Sequence, residues 1–176
     1  MSTNKVQVHT LSVLCEDVDG IISRISGMFT RRAFNILSIS SGRTEVEGIN
    51  RITIIVEGED HVVEQITKQL NKLIPVIKVT RHDPETIVSR GLMMVKVSAD
   101  NANRTQVVES AKLFRAHVVD VGPESVIIEC TGTPSKLQAL LDVLEPFGIR
   151  ELVEASPTAI SRGPRALSLI HISEPT

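Results

Sequence analysis

The sequence predicts an α+β protein of two successive domains, each with two helices on one face of a four-stranded antiparallel sheet. Three observations predict it. Segments in which Ile, Val and Leu alternate with period two are interleaved with segments of helical spacing. The order strand, helix, strand, strand, helix, strand occurs twice along the 176 residues. Aromatic residues make up only 2%, with no Trp or Tyr, so the core must come from branched aliphatic residues, which suit sheets with helices packed on them.

Residues 6–15 read as the first strand, with Leu11, Val13 and Cys15 on one face. The turn Glu16-Asp17-Val18-Asp19-Gly20 follows, and Asp19 is expected to cap the next helix. In that helix Ile21, Ile22, Ile25, Met28 and Phe29 share one side. Residues 35–43 form the second strand, with Leu37 and Ile39 on one face and Ile36, Ser38 and Ser40 on the other. After a reversal over residues 42–48, residues 50–57 make the third strand, with Ile52, Ile54 and Val56 inward. A helix from about Asp60 carries Val62, Val63, Ile66, Leu70 and Leu73; Pro75 ends it, and residues 76–80 form the fourth strand. Right-handed crossovers turn this order into the ferredoxin-like βαββαβ arrangement.

The order repeats with a strand at 92–99, a helix at 104–115, a hairpin of strands at 118–121 and 125–130, a helix at 134–144 and a closing strand at 149–155. The expected division is a first domain at residues 6–82, a linker at 83–90 containing Pro84 and Glu85, and a second domain at 91–165. Each sheet has one face without helices. In the first domain that face should bear some of Ile36, Ser38, Ile49, Arg51 and Ile55, a mixture too apolar to stay wet. A partner, most simply a second copy, is expected there or along an edge strand. Residues 166–176 look foreign: the run LSLIHISEPT has no strand position to fill and is similar to the translation of a common transposon-type sequencing adapter. That stretch, with His171, is set aside.

Composition excludes several functions. Net charge is −2, which gives no general attraction to nucleic acid or anionic membrane. The sheet positions lack the aromatics on which RNA-binding sheets stack bases. No apolar run is long enough to cross a bilayer, and residues 1–5 lack a signal peptide's apolar centre, so a cytoplasmic location is expected. Cys15 and Cys130 are expected to be reduced and buried. No histidine stands at ligand spacing from another His, Cys or carboxylate, so no metal site is expected. His9 and His61 read as surface or capping residues. No nucleophile elbow or phosphate-binding glycine motif occurs, and no catalytic residue is assigned.

The turn after the first strand carries the most information. Backbone N–H groups at a helix start attract a carboxylate, and Gly20 lets a ligand approach without a Cβ clash. Asn35 has donors and acceptors, suiting either the ammonium or the carboxylate of an amino acid, and Ile36 beside it suits an apolar wall. Spacing alone is better met by a capped turn followed by an ordinary strand start.

The stretches Leu11-Ser12-Val13-Leu14-Cys15-Glu16-Asp17-Val18-Asp19-Gly20-Ile21 and Phe29-Thr30-Arg31-Arg32-Ala33-Phe34-Asn35-Ile36 resemble the small regulatory subunits of acetolactate synthase. So do Glu64-Gln65-Ile66-Thr67-Lys68-Gln69-Leu70, Leu113-Phe114-Arg115-Ala116 and Ser161-Arg162-Gly163-Pro164-Arg165. The resemblance implies an N-terminal ACT domain that pairs with another copy, and a C-terminal ACT-like domain. It implies a non-catalytic subunit that activates a catalytic large subunit and confers feedback inhibition by valine, or another branched-chain amino acid, on branched-chain amino-acid biosynthesis. The effector would lie between two ACT domains, held by Asp17, Val18, Asp19, Gly20 and Ile21 of one copy and by Asn35 and Ile36 of the other. No cofactor is implied for this chain: thiamine diphosphate, magnesium and FAD belong to the catalytic subunit. The alternative is a free-standing ACT-type amino-acid sensor acting on another partner.

Three positions depart from the family's habit. Asp17 stands where Asn is frequent, Asp19 where Pro or Ser is frequent, and Ala33 where Gly is usual. Two acids weaken anion binding unless Asp17 turns toward the ligand's ammonium. Ala33 costs about 1 kcal/mol if its backbone is left-handed. The turn in the second half, Ala99-Asp100-Asn101-Ala102-Asn103-Arg104, has no glycine at the helix start, and its next strand opens on Ala116-His117. One effector site per chain is therefore expected.

Overall fold

The structure, a computed structural model, describes residues 5–168. The elements in order are β1 (Gln7–Glu16), α1 (Ile21–Arg31), β2 (Asn35–Arg43), β3 (Ile49–Gly58), α2 (Asp60–Leu70) and β4 (Val76–His82). They continue with β5 (Ile87–Ser98), α3 (Arg104–Leu113), β6 (His117–Val121), β7 (Ser125–Gly132), α4 (Pro134–Leu144) and β8 (Ile149–Ser161). The first sheet has strand order β2-β3-β1-β4 and the second β6-β7-β5-β8. The two βαββαβ units are as the sequence predicts. None of the described helices is long and apolar enough to cross a membrane.

The compact units divide between Val88 and Ser89, and residues from Thr158 onward group with the first. Within residues 83–90, Pro84–Thr86 make a short 3-10 turn, Asp83 Oδ1 accepts from Glu85 N at 3.0 Å, and β5 begins at Ile87. The closing strand, expected to stop at residue 155, runs to Ser161.

In the first unit Leu11, Val13 and Cys15 of β1 and Ile52, Ile54 and Val56 of β3 pack under α1 and α2 through Ile21, Ile25, Met28, Phe29, Val63, Ile66 and Leu70. Ile22 lies off this stripe and is exposed. Burial pushes the Cys15 thiol up to about 11, so it is an inert packing group. His9 is buried rather than on the surface; its Nε2 pairs with Gly58 O at 3.0 Å and its Nδ1 with Arg81 Nη2 at 3.0 Å. In the second unit Met93, Val95, Val97, Val126, Ile128 and Cys130 form the sheet side of the core beneath Val107, Ala111, Leu137, Leu140 and Leu144.

The helix-free face of the first sheet is covered in part by the chain itself. Ser12, Leu14 and Thr53 point away from the helices yet are fully or almost fully buried. The segment after β8 is pinned there: Arg162 N donates to Thr86 O at 2.7 Å, and Ser161 Oγ lies 3.4 Å from His82 Nδ1. Ile160, Ser161, Gly163 and Arg165 line a cavity of about 430 Å³ with Glu45 and Arg51. Of the stretch expected to be foreign, residues 166–168 are described, with Ser168 Oγ bonded to Glu45. The remainder, including His171, lies outside the described residues. The edge strands of the first sheet are β2 and β4.

His82 ties this segment to the sheet, with its Nε2 2.6 Å from Ser12 Oγ. Burial, then the Arg51 charge, hold its imidazole below the ordinary value of 6.5. A histidine that resists protonation only when folded costs stability as pH falls, because the unfolded chain takes up the proton first. Thermal melts are therefore expected to show a stability loss that sets in as pH drops through about 6.5. His82→Gln should remove that pH dependence; an unchanged acid limb would contradict it.

Candidate functional site

Two turns position the expected site residues. The first joins β1 to α1. Asp17 N donates to Gly48 O at 2.8 Å, Val18 N to Glu16 O at 3.0 Å and Ile21 N to Val18 O at 3.3 Å. Asp17 Oδ1 accepts from Asn50 Nδ2 at 2.8 Å, which ties the turn to the start of β3. The N-cap is Gly20, with φ 80 and ψ 5, and no side chain caps the helix. This corrects the role expected of Asp19. With Gly20 left-handed at the cap position, Asp19 is one residue too early. The N–H groups of Asp19, Gly20, Ile22 and Ser23 bond no backbone carbonyl among the described residues. A Cβ built on Gly20 meets nothing within 4 Å, so the space before the helix start is open. Ile21 turns into the core, whereas Val18 and Ile22 are exposed beside the turn.

The second turn joins α1 to β2. Phe34 N donates to Phe29 O at 3.1 Å and Ala33 N to Thr30 O at 3.2 Å. This is the Schellman pattern that ends a helix with one left-handed residue. That residue is Ala33, at φ 55. The motif brings the Phe34 ring against Phe29, centroids 6.2 Å apart and edge to face, and so sets where β2 begins. A side chain at this conformation costs about 1 kcal/mol relative to glycine. Ala33→Gly should raise the melting temperature of the first unit by roughly 4–8 °C; an unchanged or lower melting point would contradict the strain.

Asn35 opens β2, and its Nδ2 donates to Glu57 Oε2 at 3.2 Å across the strand pair. A bulge follows between Ile36 and Ser38. Leu37 is the extra residue and lies half exposed. The bulge restores Ile36 to the helix side, where it packs on the core with Ile39. The alternation expected for this strand, with Ile36 facing away beside Ser38, is therefore wrong by one residue. Ile36 is thus partly buried on the helix side, next in sequence to the exposed Asn35.

The two halves lie at opposite ends of one sheet. Asn35 pairs with Glu57, whereas the Asp17 side chain bonds Asn50 on the same strand β3. Those partners are separated by seven residues, or about 24 Å at the rise of a strand. A single chain does not bring Asp17, Val18, Asp19 and Gly20 together with Asn35 and Ile36.

The corresponding turn of the second unit is closed. Asp100 Oδ1 accepts from Ala102 N at 2.8 Å and Asn103 N at 3.2 Å, and Asn103 Oδ1 accepts from Asp100 N at 2.8 Å. Arg104 lays its guanidinium on the carbonyls of Gly122 and Pro123, at 2.9 and 3.0 Å. Its helix exit repeats the first, with Arg115 at φ 55. The donors left open at Asp19 and Gly20 are thus satisfied by side chains here.

Comparison with known proteins gives a consistent result along the chain. Residues 90–163 match the family described as the small subunit of acetolactate synthase, and residues 11–78 match the small-subunit-like ACT domain of acetohydroxyacid synthase. The acetolactate synthase small subunit of Mycolicibacterium smegmatis is 53% identical over 165 residues, covering 94% of this chain and 97% of that protein. A probable acetolactate synthase small subunit of Methanothermobacter thermautotrophicus is 48% identical over 160 residues, covering 90% and 95%. The crystal structure of the acetolactate synthase small subunit from Thermotoga maritima superposes with a TM-score of 0.84 at 35% identity, covering 89% of this chain and 98% of that one.

Proposed function

Since this chain belongs to the family of acetolactate synthase small subunits, regulatory and not themselves catalytic, we propose that it binds valine, or a closely related branched-chain amino acid, at a seam between two copies. By binding there the effector would inhibit the catalytic subunit that this chain otherwise activates. The thiamine diphosphate, magnesium and FAD chemistry then belongs to the catalytic subunit.

The observation that carries the reading is the open helix start at Gly20. Its free N–H groups and the positive end of α1 suit a carboxylate. In the second unit the N–H groups at the positions matching Asp19 and Gly20 are taken up by the Asp100 carboxylate, which favours one site per chain. The register supports a site completed by a second copy. Two copies paired antiparallel along edge strand β2 would bring Asn35 of one to the level of Arg43 in the other. That is the end of the sheet from which the Asp17–Gly20 turn projects. The start of β2, with Asn35 and Ile36, would then lie level with the helix start across the seam. Inhibition requires that the effector prefer the arrangement in which the catalytic subunit is inactive, and a preference of about 1–3 kcal/mol is usual for such coupling.

The test adds the purified chain to its cognate catalytic subunit and follows acetolactate formation with and without valine. The reading requires activation by the chain and loss of that activation as valine rises. Activation indifferent to valine, leucine and isoleucine would contradict it.

A further inference from the structure

The turn of the site proposed above holds two carboxylates, Asp17 and Asp19, and neither Lys nor Arg. Its anion-binding capacity rests on backbone N–H groups alone. A third carboxylate lies at the other half. Glu57 stands directly across the strand pair from Asn35 and accepts its Nδ2 at 3.2 Å. With one amide hydrogen held in this way, Asn35 keeps its oxygen free, and that oxygen accepts from an ammonium but not from a carboxylate. The side chain of Glu57 is exposed and makes no ion pair with a cation among the described residues, and its carboxylate borders the Asn35 amide.

We propose that Glu57 is a positioning and selectivity residue of this site, orienting the Asn35 amide oxygen toward the effector's ammonium and so selecting 2-amino acids over 2-oxo acids of the same carbon skeleton. The inference rests on the effector-site reading above. It deepens that reading by giving the Asn35 end the ammonium and the Gly20 end the carboxylate. A 2-oxo acid carries one negative charge and no ammonium, so it gains the helix start but meets Glu57 with nothing to offer. Discrimination of this kind separates an amino-acid product from the 2-oxo acid that transamination converts into it. A subunit so equipped responds to the finished amino acid and ignores its precursor.

Titration calorimetry on the full chain tests this with L-valine and 3-methyl-2-oxobutanoate as the two probes, on wild type, Glu57→Gln and Glu57→Ala. Wild type should bind valine at least about tenfold more tightly than the oxo acid, the worth of one charge-assisted hydrogen bond. Glu57→Gln keeps an acceptor for Asn35 but removes the charge; it should weaken valine by about tenfold and leave the oxo acid within about twofold. Glu57→Ala should narrow the ratio at least as far. A valine-to-oxo-acid ratio unchanged in both variants would overturn the role of Glu57 while leaving the site standing. Wild type that binds neither probe, or Asn35→Ala that binds valine as wild type does, would overturn the site as well. A shift in melting temperature alone would move both affinities together, so the ratio separates a selectivity role from a structural one.

Discussion

Asn35→Ala is expected to abolish valine inhibition while activation of the catalytic subunit persists. The side chain is exposed at the start of β2, bonds only Glu57 among the described residues, and contributes nothing to the core. Its removal should therefore leave the fold and the activating surface intact. Loss of a hydrogen bond to a charged group costs about 1.5–3 kcal/mol, or roughly ten- to a hundredfold in affinity. At valine concentrations that fully inhibit the wild-type complex, the variant complex should keep its activated rate. Loss of activation with sensitivity retained would reverse the roles assigned here.

Gly20→Ala should have the second large effect, by another route. Gly20 holds φ 80 as the N-cap of α1, and an added Cβ touches nothing in the free chain. The stability cost is then only the left-handed backbone, about 1 kcal/mol. In the complex, that same Cβ stands where the carboxylate must approach the free N–H groups. Valine binding should fall by far more than stability does. Calorimetry and thermal melts on one preparation distinguish the cases. A loss of binding no larger than the loss of stability predicts would mean that the helix start is not the anion site.

Much of the fold was legible in the residues because each strand shows one apolar face. Leu11, Val13 and Cys15, and Ile52, Ile54 and Val56, read as core by alternation and are core. The helix predicted at residues 134–144 forms with those bounds, since Pro134 and the Thr133 cap mark its start. What escaped depends on partners distant in sequence. The bulge at Leu37 exists only in register with β3, and without it Ile36 was assigned to the wrong face. Asp19 carries a good capping side chain, but Gly20 takes the left-handed cap position and moves the helix start past it. His9 looked like a surface histidine because its partners, Gly58 and Arg81, lie 49 and 72 residues away. The return of Ser161 and Arg162 to the first sheet has no local signal at all.

The residues proposed for the site were picked from the sequence, which carried no sign of their geometry. Asp17, Gly20 and Asn35 stand out by type and position. That they occupy opposite ends of one sheet follows from pairing, not from spacing. This separation makes the shared seam necessary to the regulatory account.

The seam is tested most directly by mixing two inactive variants. Gly20→Ala spoils the turn and Asn35→Ala spoils the strand start, so neither homodimer should bind valine. In a mixed dimer one seam joins both defects, while the other joins the intact turn of one copy to the intact Asn35 of its partner. Calorimetry on subunits unfolded together and refolded in equal amounts should recover about a quarter of the wild-type sites, since half of randomly paired dimers are mixed and each holds one intact seam of two. Mixing that recovers no binding would show that turn and Asn35 do not meet across a pair of copies.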